Sequence, residues 1–455
     1  MEGEKQPPPA VDSVSKVLDD EDLLVEILLR VAFPNTLVRA ALVCKRWLGH
    51  ASEPAFLRRF RELHPPRLLG FYINNNGYGH PPPPSFVPML PQPAELAAIV
   101  RRTNFNAYRR LSTGTLDCRN GSVFIALYND KRTLGVHRPL CRGERGLTIL
   151  SSVPRPQLPF GTCCTFSQVV SKEGDGLSYY YLYVESTMGE SRLHVYMMQD
   201  GSWHMHHLLD IGQLLRPRSK PKAVLVDNKI YMAAGPTNIV VLDLKTLSFS
   251  TVQLPQGVEH GSRGTTMLSR AGDASGVYLI HVKEFQLRIW LRKEDNWLLV
   301  DSICLHEMCA NLRKSDSTIK NGHNVLLMDQ VVDYGDFVFL QMGGCVLHLD
   351  VRCRTLRKVY EYRSTHLGDI HPFTMIWPPA FPTVKYDPAR FVFWYFDDLV
   401  ENCNLKKKDT RKLMDCTYVV NDMGGIKVGI SSHLLASKSY DSTAWLLNKF
   451  GEAQL

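Results

Sequence analysis

The spacing of hydrophobic residues changes character near residue 65, and this change limits the chain to a small helical unit followed by a large strand-rich one. Before it, Leu23, Leu24, Ile27, Leu28 and Val31 follow the i, i+1, i+4, i+5, i+8 spacing of one helix face. Asp19 or Asp20 can cap that helix, and Glu21 and Asp22 suit the positive end of its dipole. Pro34 breaks it. Asn35 or Thr36 can cap a second short helix carrying Leu37, Ala40 and Ala41. A third segment sets Val43 and Trp47 four residues apart, and Pro54 suits the first turn of a fourth with Phe56, Leu57 and Phe60 on its apolar side. So small a unit presents more apolar surface than it can bury alone, since below about 70–80 residues a lone core rarely supplies more than ~3–5 kcal/mol. The head must lean either on a partner or on its own downstream domain, and residue spacing leaves both open.

After residue 65 the pattern is strand and turn. Leu68 to Ile73 reads as a strand, and the Gly/Asn/Pro-rich stretch from Asn74 to Pro93 as a loop. Two later stretches resemble each other. Val224 to Met232 leads to Ile239 to Leu244 and then Thr246-Leu247; Val331 to Phe339 leads to Val346 to Val351 and then Thr355-Leu356. A second pair interleaves: Leu193 to Tyr196 runs to Trp203, and Leu287 to Trp290 runs to Trp297. An earlier hairpin, Leu116-Asp117-Cys118 to Val123–Ala126, turns at Asn120-Gly121. Equivalent hairpins recur about every 50 residues, close to the period of blade repeats. The expected body is an irregular β-propeller of about six blades between Arg67 and Pro382; a β-sandwich or two smaller β domains is the alternative. Past Tyr386, Phe391 to Phe396 could supply a last strand, and Gly424 to Leu455 carries no assignment.

Eleven cysteines without a CxxC pair argue for free thiols in a reducing compartment, cytoplasmic and/or nuclear. Cys163-Cys164 are adjacent in a strand-like run, where neighbouring side chains point to opposite faces. No apolar run approaches a membrane span, and the acidic, Pro-rich start is unlike a signal peptide. The net charge of +8 is scattered, so neither nucleic acid nor membrane is expected as a partner.

Chemistry-bearing motifs are few. His204 and His206 would share one strand face, but no Cys, Asp or Glu completes a ligand set, and His306-Glu307 lacks a second histidine, so no metal is expected. There is no GxSxG elbow and no phosphate-binding Gly-rich loop; Gly174-Asp175-Gly176 reads as a turn. Asp117, Asp243 and Asp350 sit at strand ends, where turn capping is expected of them. The basic run Lys406 to Lys412 reads as a solvated loop, with nuclear import as the other possibility, and Tyr179-Tyr180-Tyr181, Trp290 and Trp297 read as blade core. The chain is therefore expected to be no enzyme, with no cofactor.

The residues of the head carry a further signal. Leu18 to Phe60 resembles an F-box of the plant, especially grass, type, most tellingly at Asp22-Leu23-Leu24-Val25-Glu26-Ile27-Leu28, Val43-Cys44-Lys45-Arg46-Trp47 and Pro54-Ala55-Phe56-Leu57. The usual Leu-Pro entry reads Leu18-Asp19 here, and the proline-rich turn after the first helix reads Val31-Ala32-Phe33-Pro34. The resemblance implies an α+β multidomain chain: residues 1–15 disordered, a helical F-box at 16–62, a β-propeller-like substrate-binding domain at 67–385, and a C-terminal extension at 386–455. It implies a substrate receptor of a cullin ubiquitin ligase. Leu18, Leu24, Ile27, Leu28, Leu37, Val43, Lys45 and Trp47 would face a Skp-type adaptor, and through it cullin and RING subunits, while the β domain holds a target protein. A binding module of a non-ligase complex, or a propeller enzyme or carbohydrate binder, would be the rival readings.

Overall fold

The computed structural model describes residues 17–375, apart from 32–33, 65–66, 75–82, 104, 107–112, 120, 128–132, 141–146, 154–162, 172–178, 187–190, 200–201, 213–222, 235, 261–263, 272–275, 294, 316–325 and 363–367, together with residues 419–420 and 426–427. The chain divides into two units, residues 1–381 and 382–455. In the second, Val419–Val420 pairs antiparallel with Ile426–Lys427; the expected strand at Phe391 to Phe396 and the basic run at Lys406 to Lys412 lie outside the described residues, as do 1–15.

The first unit opens with four short helices, α1 (Glu21–Leu29), α2 (Pro34–Ala41), α3 (Lys45–Ser52) and α4 (Pro54–Leu63). Asp20 is the cap of α1: its Oδ1 accepts from the Leu23 amide at 3.0 Å. Pro34 both keeps α1 short and opens α2, because the first helical position needs no amide proton.

Six small sheets follow. Five are four-stranded antiparallel meanders in sequence order: β3–β6 (Thr113–Arg119, Ser122–Leu127, Thr133–His137, Leu147–Ile149), β7–β10 (Cys163–Ser171, Tyr179–Ser186, Ser191–Gln199, Ser202–Gly212), β11–β14 (Val224–Val226, Lys229–Ala234, Asn238–Asp243, Phe249–Gln253), β15–β18 (Thr266–Arg270, Val277–Lys283, Gln286–Lys293, Asn296–Cys304) and β19–β22 (Leu327–Val331, Phe337–Met342, Cys345–Asp350, Thr355–Glu361). The sixth joins the two ends of the domain: β23 (Ile370–Thr374) pairs with β1 (Leu68–Ile73), which pairs with β2 (Ser85–Pro88). The first strands touch in turn, β3 to β7, β11, β15, β19, β23 and back to β3, which closes a six-bladed propeller. Two helices lie in connections between blades, α5 (Ala94–Arg102) and α6 (His306–Ser315).

The apolar core is split into six slabs, one between each pair of neighbouring blades. Strands inside a blade are covered on both faces, so their sequences are nearly continuous hydrophobic runs. In β20, Val338, Leu340 and Met342 face blade four while Phe339 faces the closing blade; in β21, Leu347 and Leu349 face one way and Val346 the other. Each such side chain, fully buried, stabilises by about 1.5–3 kcal/mol. Side-chain amides bridge blades where backbone cannot. Asn74 donates to Thr115 O at 2.7 Å and accepts from Thr115 N at 2.8 Å across the closure, and Gln168 does the same with Ala223 between blades two and three, at 3.0 and 2.7 Å.

Several local expectations change. β2 forms within the stretch read as loop, because β1 supplies it with a hydrogen-bonding partner. The two look-alike stretches are blades three and five, and the interleaved pair are the third and fourth strands of blades two and four. Among the described residues, the two-residue turns at Asp227-Asn228, Glu284-Phe285 and Gly343-Gly344 have φ above zero at both positions, the first two without glycine.

Candidate functional site

The head has a core of its own. Leu24, Leu28, Leu29, Leu37, Ala40, Ala41, Ala51, Phe56 and Phe60 pack together, with Val25, Trp47, Leu48 and Leu57 against them. Glu26 of α1 pairs with Arg59 of α4, and His64 Nε2 lies 2.6 Å from Leu29 O, so the last turn of α1 is tied to α4 twice. Arg46 Nη1 donates to Asp19 O at 3.2 Å and its Nη2 to Leu18 O, bringing the entry to α1 beside the start of α3.

These contacts sort the eight residues singled out in the sequence. Leu24, Leu28 and Leu37 are at most 1% exposed, inside the head. Trp47 is half-buried against that core, and Leu18 and Ile27 are also half-buried. Val43 is 50% exposed and Lys45 is exposed. The Arg46 bridge places Leu18 at the edge formed by Val43, Lys45 and Trp47. Two residues not singled out join the exposed apolar set: Leu23, four positions before Ile27 on α1, and Leu42, beside Val43. Helical spacing alone gave Leu23 and Leu24 equal claims to the interior; packing against α4 separates them.

The propeller has two unlike ends. Each blade is a meander, so its first-to-second and third-to-fourth turns lie at one end, and its second-to-third turn and the passage to the next blade lie at the other. The turns at the first end include 227–228, 332–336 and 351–354. The passages that follow β6, β10, β14, β18 and β22 lie at the second, whereas the one that follows β2 leaves from the first, where the Met89 amide donates to Leu69 O at 3.0 Å. The head meets the first end: Arg352, in the turn between β21 and β22, donates from Nη1 to Glu62 O at 3.3 Å, and β1 begins there.

The carboxylates differ from expectation at one position. Asp243 caps its turn, accepting from Lys245 and Thr246 amides, which lowers its pKa, and Asp350 accepts from the Cys353 amide at 2.8 Å. Asp117 is no turn cap. A bulge after Thr115 turns it inward, where Arg119 Nε donates to it at 2.9 Å and Arg119 Nη1 reaches Asp333 of blade five. Burial opposes the Arg119 charge, but Asp117 and Asp333 together raise its pKa above its usual value. His204 and His206 lose their common face, because β10 shifts register between Met205 and His207; the rings of His206 and His207 sit 4.8 Å apart instead. Among the described residues no group of three metal-ligating side chains converges, and no helix is long and apolar enough to cross a membrane. Gly174 to Gly176 lie outside the described residues; Cys44, Cys118, Cys304, Cys309, Cys345 and Cys353 are free thiols. Tyr179, Tyr180 and Trp290 are blade core.

A family model described as "F-box protein AT5G49610-like, beta-propeller" matches residues 114–381. No curated protein matches the sequence. Among solved structures, a Lactobacillus plantarum protein is 14% identical over 56% of this chain and 72% of its own, with a TM-score of 0.32. A putative 6-phosphogluconolactonase from Bacteroides uniformis is 10% identical over 57% of this chain and 72% of its own, at 0.29. BamB from Moraxella catarrhalis is 11% identical over 54% of this chain and 61% of its own, at 0.25.

Proposed function

This chain belongs to the AT5G49610-like F-box-protein β-propeller family, and from that premise we propose that it is the substrate receptor of an SCF-type cullin ubiquitin ligase. The head would bind a Skp-type adaptor, and through it cullin and RING subunits, while the propeller holds a target protein. The observation that carries the reading is the polarity of the propeller: the head meets one end and five of the six blade-to-blade passages open at the other. Adaptor and target then occupy opposite ends without competing. The chain itself performs no bond chemistry; it supplies proximity and orientation to a transfer catalysed by other subunits.

The adaptor surface is proposed to be built from Leu18, Leu24, Ile27, Leu28, Leu37, Val43, Lys45 and Trp47, in two roles. Val43, Lys45, Trp47, Leu18 and Ile27 make the contact, together with exposed Leu23 and Leu42, whereas Leu24, Leu28 and Leu37 hold the helices that carry them. An apolar anchor of this kind, once buried in a complex, is worth about 2 kcal/mol or more on truncation.

The test is co-purification of the full chain with a Skp-type adaptor, wild type beside a Leu23→Asp, Val43→Asp double variant and a Leu28→Asp variant. The expected result is a stoichiometric complex in the wild type. The double variant loses it while keeping its helical circular dichroism, and Leu28→Asp loses complex and helicity together. A double variant that still binds would remove the proposed surface. A wild type that binds no adaptor would remove the receptor reading, and adaptor-bound material that recruits no cullin would move the chain to a non-ligase complex.

A further inference from the structure

Among the described residues no helix of the head packs broadly on a strand of the propeller, and the head's core contains none of the propeller's residues. Two folded units joined by so narrow a seam are expected to move against each other unless a specific contact prevents it. The contact present is ionic. Asp336 ends the turn between β19 and β20 and is 5% exposed. Its Oδ1 accepts from Arg352 Nε at 2.7 Å, and the same guanidinium reaches the head at Glu62 O. Arg61 of α4, the residue before Glu62, is itself 6% exposed. Burial pushes the Asp336 carboxyl up, and Arg352 and then Arg61 pull it back.

A carboxylate withdrawn from water is costly unless cations accompany it. Here Arg352 accompanies the buried carboxylate and the same guanidinium holds Glu62 O, so the arrangement is complete only with the head docked. The turn that carries Asp336 is itself anchored. Three residues earlier, Asp333 binds Arg119 of blade one, and Ser269 Oγ of blade four donates to Val332 O at 3.0 Å. One short segment thus ties blades one, four and five together with one carboxylate and grips the head with the next.

We propose that Asp336 is a positioning residue: by holding Arg352 of blade five where its guanidinium meets Glu62 O of the head, it fixes the head on the propeller and so fixes the distance from bound adaptor to bound target. The consequence for ubiquitin transfer rests on the receptor reading; the clamp itself does not. The test uses the full chain with spin labels on bio-orthogonal residues replacing exposed Arg58 of the head and exposed Lys293 of blade four. Pulsed electron resonance should give one narrow distance distribution in the parent and in Asp336→Glu. In Asp336→Asn and in Arg352→Met it should become about twofold broader, as free relative motion requires, with the propeller's tryptophan melting transition retained. A distribution as narrow in Asp336→Asn as in the parent would overturn the proposal, and so would broadening that comes only with loss of that transition. Failure of the adaptor to bind would be seen in co-purification, without touching the distance measurement.

Discussion

Acid should dismantle this propeller well before its carboxylates are protonated, and three histidines give the size of the effect. His137, His281 and His348 are 2%, 6% and 2% exposed. His348 lies between Phe337 and Phe339, with ring centroids 5.2 and 5.4 Å away, and His281 accepts or donates at Thr266 Oγ1, 2.9 Å from its Nδ1. Burial lowers each of the three to about 4, helped at His281 by Lys283 and at His348 by Arg357. In the unfolded chain a histidine titrates near about 6.5. Between these values the unfolded state binds more protons than the folded one, so the stability held above about pH 6.5 is lost as pH falls toward 4. From pH 7 to pH 5 the loss is about 2 kcal/mol per histidine, or on the order of 5–6 kcal/mol for the three, from the ~1.36 kcal/mol that one pKa unit represents. That is comparable with the whole stability of an ordinary domain, about 5–15 kcal/mol. Urea unfolding followed by tryptophan fluorescence at pH 7, 6 and 5 should show the midpoint falling by on the order of 1–2 M. His348→Phe keeps an aromatic ring between the two phenylalanines and removes the titration, so its loss over the same range should be smaller by about 2 kcal/mol. Asp336, pushed up by burial, acts in the opposite sense, but it is common to both proteins and drops out of the comparison. A midpoint that holds constant or rises on acidification, or a variant as acid-sensitive as the parent, would refute the reasoning.

Two further perturbations test the seams between blades. Gln168→Ala removes both hydrogen bonds to Ala223 and leaves a buried amide and carbonyl unpaired, which should cost about 2–4 kcal/mol and lower the melting temperature by on the order of 5 °C; an unchanged melting temperature would show that water takes the place of the side chain. Arg119→Met strands Asp117 and Asp333 in the interior and should destabilise by about 3–5 kcal/mol. Adding Asp117→Asn to that variant should recover part of the loss in the same calorimetric measurement, and a purely additive pair would count against the ion network.

The division of the chain was legible because the two hydrophobic periods differ, and the blade count because hairpins recur at a near-constant spacing. Leu193 to Trp203 and Leu287 to Trp297 read alike because both are third-to-fourth strand hairpins, in which the tryptophan opens the outer strand. What was not legible depends on partners distant in sequence. Ser85–Pro88 is a strand only because β1 lies beside it, and β1 is held by β23, nearly three hundred residues later. Asp117 looked like any strand-end carboxylate; a single bulge and an arginine two residues on make it part of a buried network.

The same limit governs the site. A motif identifies which residues of a small helical unit matter, but not whether each acts through contact or through packing, since both roles draw on leucine, isoleucine and valine. The structure supplies the missing variable, which is burial. Leu28 and Val43 belong to one pattern, yet one is 1% and the other 50% exposed. A charge at the first must be solvated inside the head, whereas a charge at the second meets only water until a partner arrives. The Asp336 clamp was hidden for a different reason. Arg61 and Glu62 lie far in sequence from Asp336 and Arg352, each in a segment of ordinary helix or turn composition. Only closure of the ring, which returns blade five beside the chain's entry strand, brings the last turn of α4 against them. On the proposed reading, orientation would come from topology, and the residues that enforce it leave no local signature.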